Sequence, residues 1–163
     1  MKILIFVGLV SLASIWSCGP RAAQGLQNIQ DYQQAIDEII WEDWGPPVGP
    51  EYNRTFKVTL SRNKQTLSID SLRSAGVEVV RKLDTKDFDR ILALKSEYRI
   101  EITNQPLSYD GCMGGEGHNL TFLTEGRKMA EGIVIDCGGQ QRTNINGNMF
   151  AFFEAIRKLA FPK

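Results

Sequence analysis

The chain has 163 residues, with 19 basic and 19 acidic side chains, one histidine and no net charge. That balance offers no basic surface to steer the protein toward nucleic acid or an anionic membrane face, so a nucleic-acid partner is not expected. The length suits one domain of ordinary size. Met1-Lys2 supplies a single positive charge, and the run from Ile3 to Trp16 (ILIFVGLVSLASIW) carries none. A short basic stretch ahead of an apolar one is the layout of a secretory signal peptide. The apolar run is shorter than the roughly 18 residues a spanning helix needs, which favours a cleaved leader over a retained span.

Ile15-Trp16-Ser17-Cys18 resembles the lipobox of bacterial lipoproteins, departing from it at Trp16, where that family has a small residue. The resemblance implies that residues 1–17 are removed and that Cys18 becomes the first mature residue, carrying diacylglycerol and a palmitate-type N-acyl chain. Two or more acyl chains hold a protein stably at a membrane. The expected partner is therefore a membrane, reached through Cys18, at the periplasmic face or the surface of a bacterial cell envelope. Taking 17 residues from 163 leaves 146, with 18 basic and 19 acidic side chains once Lys2 is gone. Three cysteines is an odd count for an oxidising compartment. Acylation of Cys18 would leave Cys112 and Cys137 as a pair, and a disulfide between them is expected.

Residues 18–25 predict the lipidated cysteine and a short tether, and residues 26–163 a single domain. Leu26, Ile29, Tyr32 or Gln33, Ile36 and Ile39-Ile40 fall three or four apart, predicting a helix over 26–41 that ends before the proline-rich WGPPVGP. Phe56, Val58 and Leu60 alternate with polar residues, as do Leu67 and Ile69 beyond a polar turn at 61–65, and Val77 and Val79 suggest a third strand. Asp84 is placed to cap a helix, with Asp87 in its first turn and Phe88, Ile91 and Leu92 as its buried stripe. Tyr98, Ile100 and Ile102 alternate again. A glycine-rich loop over 109–118 precedes a hairpin, Leu120–Leu123 with Met129–Ile135, turning at Glu125-Gly126. Asn146 or Asn148 opens a last helix lined by Met149, Phe152, Phe153, Ile156 and Leu159, which Pro162 stops.

Hairpins interrupted by one helix and closed by another predict an α+β fold, an antiparallel sheet of about five or six strands with helices packed on one face. The C-terminal half, from Phe88 through Cys112-Met113-Gly114-Gly115, Leu120-Thr121-Phe122 and Cys137-Gly138-Gly139 to Leu159, resembles an uncharacterised domain of secreted and lipid-anchored bacterial proteins. That resemblance implies a compartment and a fold, and no chemistry.

No catalytic residue is nominated. His118 is the one histidine, and no G-x-S-x-G elbow exists to partner it. It reads either as a polar residue at a loop edge or as a pH-sensitive contact beside Asp110, Glu116 and Asp136. Cys112, His118 and Cys137 are zinc-type ligands without zinc-module spacing, and Gly114 to Gly117 lack the Lys and Ser/Thr of a phosphate loop, so no metal and no cofactor are expected. Trp41 and Trp44 either form a ledge for a peptide or glycan or fold into the core. The candidate binding residues are thus Asp110, Glu116, His118, Asp136, Trp41 and Trp44. The leading expectation is a non-enzymatic, envelope-facing binding domain, its ligand an envelope protein or glycan. The alternative is a carboxylate-based envelope hydrolase, which convergence of Asp110, Glu116, His118 and Asp136 in one cleft would favour.

Overall fold

The computed structural model describes residues 35–45, 55–71, 78–104, 107 and 115–163. The leader, Cys18, the tether and the loop containing Asp110 and Cys112 lie outside the described residues. Ala35 is helical, but Ile36 and Asp37 are not, and Glu38–Trp44 form strand β1. The predicted helix over 26–41 is therefore corrected from Ile36 onward. Ile36, Ile39 and Ile40 fit helical spacing, yet Ile39 and Trp41 are buried while Glu38, Ile40 and Glu42 are half-exposed, the alternation of a strand. A run of Ile and Trp favours that choice intrinsically.

Four strands then follow each other as an antiparallel meander: β1, β2 (Phe56–Ser61), β3 (Thr66–Ser71) and β4 (Val79–Lys82). Helix α1 (Thr85–Glu97) crosses back, and the Asp84 carboxylate accepts from the Lys86 N–H at its start. Phe88, Ile91 and Leu92 are its buried stripe, as expected. The next strand is far shorter than predicted. Tyr98 caps α1, Arg99 adopts a left-handed φ of 54°, and the N–H groups of Arg99 and Ile100 bond back to Ser96 and Lys95. This is a Schellman closure with arginine where glycine is usual. Only Glu101–Ile102 (β5) remain extended, paired with Ile145–Asn146 in a separate two-stranded sheet.

Beyond the loop, β6 (Glu116–Thr124) returns beside β1 and turns at Glu125-Gly126 into β7 (Arg127–Cys137). Gly138 and Gly139 both have positive φ and turn the chain again into β8 (Gln140–Thr143). Ile145–Asn146 form β9, and α2 (Met149–Ala160) closes the domain with the Asn148 carboxamide accepting from the Ala151 N–H. The main sheet thus has seven strands in the order β4-β3-β2-β1-β6-β7-β8, larger than the five or six predicted, and every described pairing is antiparallel.

Among the described residues both helices cover one face of this sheet. Phe152, Phe153 and Ile156 of α2 and Phe88 and Ile91 of α1 join Ile39, Trp41, Val58, Leu60, Leu120, Phe122 and Val134 in one core. Arg81 of β4 donates to the Ala160 carbonyl, tying the sheet edge to the end of α2. Asp37, just before β1, links two turns: its carboxylate accepts from the Asn63 amide and from the Glu125 N–H.

Candidate functional site

Register decides which side chains can meet. Asp43 on β1 lies opposite His118 on β6, and His118 lies opposite Val134 on β7. Two residues along, Glu116 lies opposite Asp136, which in turn faces Gln141 on β8. Alternation puts all six side chains on the helix-covered face of the sheet. They line a cavity of about 100 Å³ at the N-terminal end of α2, with Phe150 of that helix completing the wall.

The inner part is the Asp43–His118 pair. Asp43 Oδ1 lies 3.6 Å from His118 Nδ1, a separation too long for a hydrogen bond. That nitrogen is inaccessible to solvent and has no hydrogen-bond partner. The imidazole is packed among aromatic rings, 4.8 Å from Phe153, 6.0 Å from Trp41 and 6.3 Å edge-on from Phe150. Burial holds His118 below the ordinary histidine value, and the Asp43 and Glu116 carboxylates only partly offset it. Burial also raises Asp43 above the usual carboxylate range, against the opposing pull of His118 and Arg157. His118 is accordingly neutral at pH 7.

The rim differs. Glu116 and Asp136 are exposed and directly opposed across neighbouring strands, a like-charged placement that destabilises a sheet. Asp136 accepts a hydrogen bond from the Gly139 N–H at the turn, while Glu116 makes no hydrogen bond or ion pair among the described residues. Phe150, 52% exposed, stands at the mouth.

Three of the sequence candidates, Glu116, His118 and Asp136, are thus brought together, and Asp110 lies outside the described residues. Trp41 is 2% exposed and stacks on Phe153, so it is a core residue and not part of a binding ledge. Trp44 points to the opposite face of the sheet, packed against Gly117. Cys137 is also on that opposite face, next to Asp136 in sequence, which separates it from His118. Its sulfur is engaged in a disulfide, while Cys112 lies outside the described residues. Sequence reading missed Asp43, Gln141 and Phe150. Only Asp43 left a trace, as an acid at an inward position of the WEDW strand.

Among the described residues, the cavity's wall contains no Ser, Thr, Cys, Lys or Tyr. That described lining offers carboxylates, one imidazole and an aromatic ring, and no hydroxyl, thiol or amine nucleophile. A larger groove of about 550 Å³ separates α1 from α2, with Ile91, Leu94, Ala155 and Leu159 along it. No helix among the described residues is long and apolar enough to cross a membrane.

Family models, curated proteins and solved structures return no significant match.

Proposed function

We propose that this chain is an exported, lipid-anchored protein of a bacterial cell envelope, non-enzymatic, and that its domain binds a ligand in the Asp43–His118 cavity. One observation carries the binding assignment. Carboxylates, a buried imidazole nitrogen with no hydrogen-bond partner and an exposed aromatic ring converge on a concavity whose described lining has no hydroxyl, thiol or amine nucleophile. Exposed aromatic side chains beside a pocket are common anchors for a ligand. The anchor rests on the apolar leader and the lipobox-like Ile15-Trp16-Ser17-Cys18.

The two halves are tested separately. Growth on a labelled fatty acid is expected to mark the wild-type protein, and Cys18→Ser is expected to lose the label and leave the membrane fraction. Label that survives the substitution overturns the anchor. For the site, the detergent-purified full chain is used to capture partners from envelope extract alongside His118→Gln and Phe150→Ala. Capture that depends on both residues supports the cavity, and capture indifferent to them overturns it.

The hydrolase reading draws support from the opposed Glu116 and Asp136, since two carboxylates several ångströms apart suffice for glycoside hydrolysis. Against it, a cavity of about 100 Å³ is smaller than the roughly 300 Å³ and upward of ordinary ligand pockets, and a glycan needs an open cleft. Release of sugars from envelope polysaccharide that Glu116→Gln and Asp136→Asn each abolish would establish it in place of binding.

A further inference from the structure

The charge around the cavity is unbalanced. Asp43, Glu116 and Asp136 line it, and the neighbouring strand contributes Gln141 where a basic residue would complete the ladder. Arg157 of α2 acts electrostatically on both Asp43 and His118, but it is exposed and makes no ion pair among the described residues. Among the described residues, three carboxylates thus face one guanidinium. Two features independent of charge mark the place as a site. It encloses a volume, and its mouth is bounded by Phe150, an apolar ring left 52% exposed instead of being buried with Phe152 and Phe153.

We infer that the group this cavity takes is a small organic cation, a guanidinium or a primary ammonium, and that protonation of His118 expels it. The inference rests on the binding reading above and names its ligand class. Carboxylates and an aromatic face together are what such a cation requires: charge-assisted hydrogen bonds from its N–H groups and attraction to the ring. A bare metal ion fits less well. Among the described residues no three ligand-type side chains are grouped closely enough to hold one, whereas a guanidinium spreads its donors over several ångströms. Bound between Glu116 and Asp136, the cation would also relieve their mutual repulsion. His118 is the internal competitor. Its ring contacts Asp43 and stands beside Glu116 on β6, Asp136 on β7 and Arg157 on α2, so an imidazolium would satisfy the same carboxylates and repel the ligand.

The test is an NMR titration of the full chain in detergent with methylguanidinium, and in parallel with methylammonium, methyl phosphate and acetamide. At pH 7.5 the two cations are expected to shift the amides of Gly117, His118 and Phe150. Glu116→Gln and Asp136→Asn should each weaken that binding roughly tenfold, the worth of one charge-assisted hydrogen bond. Arg157→Gln should tighten it, a gain that damage to the fold would not produce. Lowering the pH to 5.5 should weaken binding in the wild type more than in His118→Gln. Shifts from methyl phosphate or acetamide alone would leave the cavity a binding site and overturn its cation class. If no probe moves those amides, the cavity reading falls with it. Binding that is equally strong in Glu116→Gln and Asp136→Asn, or equally pH-dependent in His118→Gln, overturns the roles assigned to those residues.

Discussion

His118 shows how one side chain makes stability depend on pH. Its folded-state value lies below the ordinary histidine value because burial among Trp41, Phe150 and Phe153 penalises the imidazolium. Between the two values the unfolded chain binds more protons than the native one, so stability falls as pH drops below about 6.5 toward the lower native value. Asp43 acts in the other direction and in a more acidic window. Burial raises its native value, so the native chain holds the proton more tightly, and that contribution is lost as pH rises from about 4 through the raised value. Melting temperatures at pH 7.5 and 5.5 should therefore fall in the wild type and fall less in His118→Gln. Equal falls would remove the assignment. Gly147 is a second position where one residue governs much. With φ at +94°, it sits where a Cβ would lie 2.3 Å from the Arg99 carbonyl oxygen and 2.4 Å from that of Tyr98. Gly147→Ala must push apart the α1 closure and the entry to α2, and is expected to cost about 3 kcal/mol or more, read by denaturant unfolding.

At the scale of elements, α2 holds the sheet. Phe152 is fully buried against Phe122, and Phe153 stacks on Trp41 at 5.7 Å. Phe152→Ala should cost about 3–5 kcal/mol and lower the melting temperature by roughly 10 °C or more, which calorimetry checks. A small change would make α2 peripheral to the fold. This helix was legible because its apolar positions repeat at helical spacing and Asn148 and Pro162 bracket it. The hairpins were legible too, through period-two alternation around polar turns. Two elements were not. β1 was concealed because Ile36, Ile39 and Ile40 satisfy both periods, and its partners on β2 and β6 decide between them. β8 was missed because Gln140-Gln141-Arg142-Thr143 has no apolar alternation. The Gly138-Gly139 pair, a strong signal for a tight hairpin turn, went unused.

Across the whole molecule, the site depends on pairings far apart in sequence. Glu116, His118 and Asp136 could be nominated as chemistry-bearing types, but Asp43 joins them only through the β1–β6 register, and Phe150 only through the packing of α2 on the sheet. The last prediction concerns the long connection before β6. We expect Cys112 and Cys137, 25 residues apart, to be disulfide-bonded to each other, adding about 3–4 kcal/mol by closing that loop. Intact mass with and without reduction before alkylation reads this directly, and two alkylatable thiols in unreduced protein would end the pairing. The position of β1 has a mechanical consequence. Among the described residues, the strand nearest the N-terminus is not at an edge but in the middle of the sheet, laddered to β2 on one side and β6 on the other. Under the proposed anchorage at Cys18, any tension that reaches β1 from its N-terminal side acts along the axis of that strand. It would have to shear both ladders at once, where an edge strand would peel away one bond at a time. Resistance to such pulling is set by the unfolding barrier and not by equilibrium stability, so a strand paired on both sides would raise the force that the proposed anchorage can bear.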